Sequence, residues 1–261
     1  MATFQAGGMQ VERDGEAGGG AVIMVHGLGG TSNSFTPQLG VFARGFRCYR
    51  PDLPGSGRSP LPKDGRLSID GFVTAVLALA DAEGLERFHL LGHSLGTIVC
   101  QHLAARVPAR VASMALIGAL PAPPEAARAG LRARAAEARA DGMAGIADAV
   151  CAGSTAAASK ADQPVAIAAV RESLMRQPPE GYAATCEALA DARPAALDGI
   201  AARCLLIAGA EDPVAPPAVG QALADGLHEA RLVVLPRCGH WPNFERAAEV
   251  NRELRHFHRV H

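Results

Sequence analysis

Phe88-His89-Leu90-Leu91-Gly92-His93-Ser94-Leu95-Gly96-Thr97 reads as a short apolar strand, a tight turn, and the start of a helix running on through Ile98, Val99 and Leu103. Within it, Gly92-His93-Ser94-Leu95-Gly96 sets a serine between two glycines in the spacing G-x-S-x-G. A serine lifted on a strand-to-helix turn needs a strained backbone with almost no room around it. Side chains two before and two after would collide with neighbouring chain, so glycine stands there. The turn also aims the first N–H groups of the new helix at the serine, where developing negative charge can be stabilised. The pentapeptide alone reads equally well as a glycine-rich helix start with a capping serine. The choice rests on the rest of the chain.

The 261 residues suit one large domain or a domain carrying an insertion. Hydrophobic residues make up 49%, enough for a sizeable core, and the net charge of −1 offers no electrostatic case for nucleic acid or an anionic membrane. No apolar run approaches the ~18 residues of a membrane-spanning helix. Met1 to Gly20 lacks the pattern of a secretion signal. The six cysteines, Cys48, Cys100, Cys151, Cys186, Cys204 and Cys238, form no C-x-x-C pair and read as reduced, buried small hydrophobes. These features together predict a cytoplasmic protein.

Outward from the serine, the chain alternates. Ala2–Gln5 and Met9–Glu12 read as two edge strands joined through Gly7-Gly8, and Gly15 to Gly20 as a loop. Ala21-Val22-Ile23-Met24-Val25 is an unbroken apolar run, as in a strand buried on both faces. The loop His26-Gly27-Leu28-Gly29-Gly30 follows, then a helix over about Ser34 to Ala43, then a strand at Arg47–Arg50. Ser68 to Glu83 has helical periodicity, with Ile69, Phe72, Val73, Val76, Leu77 and Ala80 on one face and Ser68 as cap. Val111 to Ile117 is a further strand. The order of strand and helix argues for a mostly parallel sheet covered on both faces. From Glu125 to about Asp198 the chain is helical, rich in Ala and Arg, and without a convincing strand. Strands return at Cys204–Ala208 and Arg231–Leu235, with helices from about Pro216 or Pro217 and from about Arg246 to Arg259.

In open parallel sheets, ligands and reactive groups gather at the carboxyl ends of the strands. Here those ends supply His26-Gly27-Leu28, Ser94, Glu211-Asp212-Pro213 and Cys238-Gly239-His240-Trp241. A loop of free amides, a hydroxyl, a carboxylate and an imidazole are the parts of an acyl-transfer site. With His26-Gly27, Asp52-Leu53-Pro54-Gly55-Ser56-Gly57-Arg58-Ser59, Gly92–Gly96, Glu211-Asp212-Pro213 and Gly239-His240 in this order, the chain resembles the α/β-hydrolase superfamily over nearly its whole length outside 122–198. The resemblance implies an α/β fold with an eight-stranded, mostly parallel sheet flanked by helices, and a helical cap inserted after the sixth strand. The expected division is a core of 1–121 and 199–261 and a cap of 122–198.

Roles follow from the resemblance. Ser94 is the nucleophile, His240 the base, and Asp212 the acid that orients the imidazole, with Glu211 as its rival. The backbone N–H groups of Leu28 and Leu95 are the expected oxyanion donors. His26 is expected to brace the oxyanion loop with Gly27, and His93 to stand behind the elbow. Trp241 is expected either to pack there or to line the pocket. His89 and His102 are assigned to the sheet or a helix surface, and His228, His256, His258 and His261 to the surface or tail. No metal site or cofactor is implied, because the histidines and acids lack ligand spacing and no dinucleotide fingerprint is present.

The serine argues against branches with an aspartate at the elbow. Pro179–Leu189 and Asp212–Pro217 look like 3-oxoadipate enol-lactonases and related small esterases, whereas Cys238-Gly239-His240-Trp241 is similar to hydrolases that cleave carbon–carbon bonds in aromatic ring-cleavage products. Hydrolysis of a small ester or lactone is the favoured reading. Carbon–carbon bond hydrolysis and a non-catalytic ligand receptor on the same fold are the alternatives. Arg128, Arg132 and Arg139 share a helical face, with Arg171 and Arg176 further on. They read as a solvated face in preference to a binding set for a substrate carboxylate. Oligomeric state is not legible.

Overall fold

The computed structural model describes residues 1–15, 20–43 and 45–259. Eight strands form one sheet: β1 (Ala2–Ala6), β2 (Met9–Asp14), β3 (Gly20–Val25), β4 (Phe46–Pro51), β5 (Phe88–His93), β6 (Val111–Ile117), β7 (Arg203–Gly209) and β8 (Ala230–Leu235). Their spatial order is β1-β2-β4-β3-β5-β6-β7-β8. β1 and β2 pair antiparallel, β2 joins β4 antiparallel, and every other pairing is parallel. Only β1 is therefore an edge on that side. β2 is an interior strand, where two edge strands were expected. The order reverses at β3, which lies between β4 and β5. The crevice at the carboxyl ends of β3 and β5 is where such a sheet places its ligands.

The helices are α1 (Leu39–Phe42), α2 (Ile69–Ala82), α3 (Leu95–Arg106), α4 (Glu125–Asp141), α5 (Ala144–Ser154), α6 (Ala157–Asp162), α7 (Pro164–Met175), α8 (Pro179–Ala190), α9 (Pro217–Asp225), α10 (Pro242–Glu245) and α11 (Ala247–His258). Ser68 caps α2 by accepting the N–H of Gly71 at 3.0 Å. The helix expected over 34–43 is instead a 3-10 segment, Ser32–Gln38, followed by a single turn, α1. Pro37 within that segment removes a backbone donor and the capping box of Thr31 and Ser34 tightens the turn.

The unbroken apolar run of β3 has the reason its pattern suggests. Ile23 and Val25 pack into one core with α2 and α3, while Val22 and Met24 face a second core with Phe35, Phe42 and α11. Helices α4 to α8 leave the sheet between β6 and β7 and enclose a third apolar cluster of their own, which includes Ile146, Val170, Leu174 and Tyr182 and takes Trp241 from the sheet side.

Close backbone approach sets two positions apart. A Cβ on Gly96 would lie 2.0 Å from the Val25 carbonyl oxygen, whereas Gly130 in α4 has nothing within 4 Å of the same atom. Gly96→Ala is expected to lose about 3 kcal/mol or more of stability by overpacking, and Gly130→Ala to gain about 0.5–1 kcal/mol by helix propensity, both read from urea denaturation midpoints.

Candidate active site

Ser94 stands at the turn from β5 into α3 with φ 52° and ψ −122°. A non-glycine residue held there stores strain of order 1–3 kcal/mol. Its glycine neighbours permit it, since a Cβ on Gly92 would sit 2.9 Å from the carbonyl oxygen of Gly96. The side chain makes no capping bond to α3. Its Oγ instead lies 2.8 Å from Nε2 of His240, and Nδ1 of His240 lies 2.8 Å from Oδ2 of Asp212. The side chains at 94, 212 and 240 are thus brought together from the ends of three strands.

The other oxygen of Asp212 accepts the N–H groups of Val214 at 2.8 Å and Ala215 at 2.9 Å. Burial alone would push this carboxyl up. The charge and hydrogen bond of His240 and the two backbone donors outweigh it and hold the group below its ordinary value. An ionised Asp212 selects the His240 tautomer with its proton on Nδ1, which leaves the Nε2 lone pair facing Ser94. Glu211, the rival acid, is exposed.

The loop over Ser94 is built as a turn. The N–H of Gly30 donates to the Gly27 carbonyl at 3.0 Å, with Gly29 at φ 76°. That is the geometry of a type II turn, in which the second residue, Leu28, keeps its N–H out of the closing bond. Leu95, as the first residue of α3, has an N–H with no intrahelical acceptor. A Cβ on Gly27 would lie 2.8 Å from Cβ of Ser94, so the loop passes directly above the serine. His26 is buried and braces this loop: Nδ1 donates to the Gly27 carbonyl at 2.8 Å, and Nε2 accepts the N–H of Leu53 at 2.9 Å. Burial lowers its pKa, which suits the neutral ring these bonds require. His93 donates from Nε2 to the carbonyl of His240 at 2.8 Å, and its ring centroid is 4.8 Å from that of Trp241. Burial and the neighbouring His240 lower its pKa to about 3.

The inserted helices hold the same loops. The N–H of His240 donates to the Ser154 carbonyl at 2.7 Å, and Nε1 of Trp241 donates to Ser154 Oγ at 2.9 Å. The buried carboxylate of Glu245 accepts from the N–H groups of Gly239 and Trp241, each at 3.0 Å, and of Ala156 at 2.9 Å. Ser173 donates to the Gly29 carbonyl at 2.8 Å, and Gln177 donates to the same carbonyl at 3.2 Å. Sequence reasoning missed all four. For Glu245 a signal existed, because Pro242 opens a helical turn and an acid three residues on is a helix-start pattern. Ser154, Ser173 and Gln177 carry no local signal.

Ser94 and His240 open onto a cavity of about 270 Å³. Leu28 and Trp241 wall it from the sheet side, and Leu131, Arg134, Val150, Leu174 and Tyr182 from the inserted helices. A larger groove of about 590 Å³, beside Thr31, Val165 and Arg176, contains none of Ser94, Asp212 and His240. Among the described residues no cluster of His, Cys, Asp and Glu could hold a metal ion, and no helix is long and apolar enough to cross a membrane.

The remaining histidines separate. His89 contacts Ser113 Oγ at 2.7 Å and His102 donates to the Arg193 carbonyl. His258 is not a surface group: it is buried with its ring 5.0 Å from that of Phe42 and 5.2 Å from that of His89. The last helix turns its polar face outward, and His258 falls on the opposite stripe with Val250 and Leu254. His261 lies outside the described residues.

A model of the alpha/beta hydrolase family matches residues 22–253. The chain belongs to this family. It is 35% identical over 256 residues to a protein named as a carbamate hydrolase, RutD, of Variovorax paradoxus, covering 95% of both chains. It is 31% identical to 3-oxoadipate enol-lactonase 2 of Acinetobacter baylyi, covering 92% of this chain and 89% of that one. Among solved structures it resembles the enol-lactonase of Burkholderia xenovorans LB400 with a TM-score of 0.89 and 30% identity, covering 98% of this chain and 99% of the other. The hydrolase thus shares its fold with a solved enol-lactonase and its sequence with relatives of hydrolytic name.

Two outcomes follow from the buried groups. Glu245→Ala leaves three buried backbone donors without an acceptor. It should cost about 3–5 kcal/mol in chemical denaturation. His93 has a folded pKa of about 3, below its ordinary 6.5. Its neutral form therefore contributes stability that is complete above pH 6.5 and is lost as pH falls toward 3. Replacing it with Asn should flatten the fall in denaturation midpoint between pH 6.5 and 4.

Proposed function

We propose that this hydrolase cleaves a small carboxylic ester or lactone through an acyl-enzyme on Ser94. The observation that carries the reading is the chain of two 2.8 Å contacts from Ser94 Oγ through His240 to Asp212, at the floor of a cavity. Ser94 Oγ attacks the substrate carbonyl carbon while its proton passes to Nε2 of His240. Asp212 balances the imidazolium that forms. The carbonyl oxygen, now an oxyanion, takes the N–H groups of Leu28 and Leu95. Each such donor contributes ~3–4 kcal/mol to the transition state. Collapse breaks the bond to the leaving oxygen, which receives the proton from His240. A water then enters, gives a proton to His240, attacks the acyl carbon, and releases the acid with Ser94 restored.

In this reading residues 1–121 and 199–261 form the catalytic core, and 122–198 the cap that shapes the substrate end of the cavity. His26, Gly27, His93 and Trp241 hold or line the site without exchanging protons with substrate. The protein needs no cofactor and works on a small molecule. Its six buried, free thiols suit the cytoplasm. Resemblance to a protein named as a carbamate hydrolase favours a second acyl substrate class, since a carbamate carbonyl meets the same three groups. The cavity of about 270 Å³, walled mainly by apolar side chains, fits a substrate with an apolar body better than a bare carbamate ion.

The deciding measurement is steady-state turnover on p-nitrophenyl acyl esters, an enol-lactone, a carbamate and a vinylogous diketone acid. Multiple turnovers of the ester or lactone are expected, with Ser94→Ala reducing kcat by roughly 10⁴-fold or more. Turnover confined to the carbamate or to the diketone acid would move the assignment to those chemistries, and a single slow turnover at most would indicate a receptor.

A further inference from the structure

The cap arginines singled out in the sequence are all engaged elsewhere. Arg132 pairs with Asp191, Arg139 with Glu180 and Glu187, Arg171 with Asp148, and Arg176 with Glu172. Arg128 pairs with Glu125 and donates to the carbonyls of Ala190 and Ala192. Arg134 differs. It is half-buried and lines the cavity that holds Ser94 and His240. Among the described residues no carboxylate pairs with it, and no lining residue of the cavity is acidic. The one permanent charge on the cavity wall is therefore positive.

Tyr182 stands in the same wall. It is 2% exposed, and its Oη is buried without a hydrogen-bond partner. A buried hydroxyl left unpaired costs ~1–3 kcal/mol, which asks for an explanation in a well-packed helix. The charge of Arg134 acts on both Tyr182 and Cys186, so the guanidinium lies beside that hydroxyl. Burial pushes the Cys186 thiol up to about 12, which keeps it from supplying a competing anion. A guanidinium without a counter-charge and a buried hydroxyl without an acceptor thus belong to one wall of the cavity. A carboxylate presents the negative charge and the two acceptor oxygens that would satisfy both.

We propose that Arg134 and Tyr182 form a carboxylate-binding end of the active-site cavity, so that the preferred substrates are esters or lactones carrying a free carboxylate. The inference rests on the ester-hydrolase reading for the word substrate, but the anion site itself does not. Arg134 orients the substrate by its distal charge, and the carbonyl is then presented to Ser94 from a fixed length away.

The test compares mono-p-nitrophenyl glutarate and adipate with the p-nitrophenyl esters of valerate and hexanoate. The wild-type protein should favour the anionic members in kcat/KM. In Arg134→Met the ratio of anionic to neutral kcat/KM should fall ~10- to 100-fold, mostly through KM, with partial recovery in Arg134→Lys and a smaller fall in Tyr182→Phe. Equal losses on both series, or no anionic preference in the wild type, would overturn the proposal while leaving the ester-hydrolase assignment standing. Independently of turnover, calorimetry should show glutarate or adipate binding to the Ser94→Ala protein. That binding should weaken at least tenfold when Arg134→Met is added. Unchanged binding, or none to either protein, would overturn the site even if every ester were hydrolysed. Thermal melting of each variant separates these results from misfolding.

Discussion

The backbone at Ser94 is the constraint on which the site depends. Its positive φ is tolerated because β3 and β5 are parallel neighbours and the first turn of α3 is pressed onto the end of β3, with Gly96 against the Val25 carbonyl. Two cores, one on each face of the sheet, hold that turn closed. Strain of this kind survives only where packing over-determines the geometry. Its chemical result is that the serine hydroxyl cannot fold back onto its own helix. It projects above the sheet, where the imidazole of His240 meets it at 2.8 Å.

The helical insertion does more than cover this hydroxyl. Its Ser154 carbonyl takes the N–H of His240, and the N–H of Ala156 shares the Glu245 carboxylate with Gly239 and Trp241. Ser173 and Gln177 hold the Gly29 carbonyl of the turn above Ser94. The segment that walls the cavity therefore also fixes the backbone of His240 and of the loop carrying Leu28. The walls of the cavity and the placement of His240 are tied through these bonds, without any contact between the inserted helices and the Ser94 hydroxyl being needed. The outer ion pairs of the same helices, such as Arg132 with Asp191, are solvent-exposed and add little to stability.

Most of the architecture was legible. Helix α2 announced itself by Ser68 and a regular apolar stripe, and β3 by an unbroken apolar run. Both are local patterns, and local patterns survive in a linear string. The 3-10 segment at 32–38 was harder, because its form depends on Thr31 and Ser34 closing on one another rather than on periodicity. His258 was misplaced because the last helix looks polar around its C-terminal turn. Its burial comes from Phe42, Phe46 and His89, which reach it from distant parts of the chain.

The sheet and the side chains at its strand ends could be read from the linear string, because strand ends are marked by glycine, proline and turn residues next to them. Contacts across the fold settle that Asp212 rather than Glu211 meets His240, that Glu245 and Ser154 join the inserted helices to the loop at 239–241, and that Arg134 rather than the five arginines named earlier lines the cavity. Helix α4 is too rich in alanine for its inner face to stand out, and Leu131, Ala135 and Ala138 define that face only once α8 packs against it. Which arginine is paired and which is left free follows from contacts between elements far apart in the chain, and no spacing along one helix encodes them.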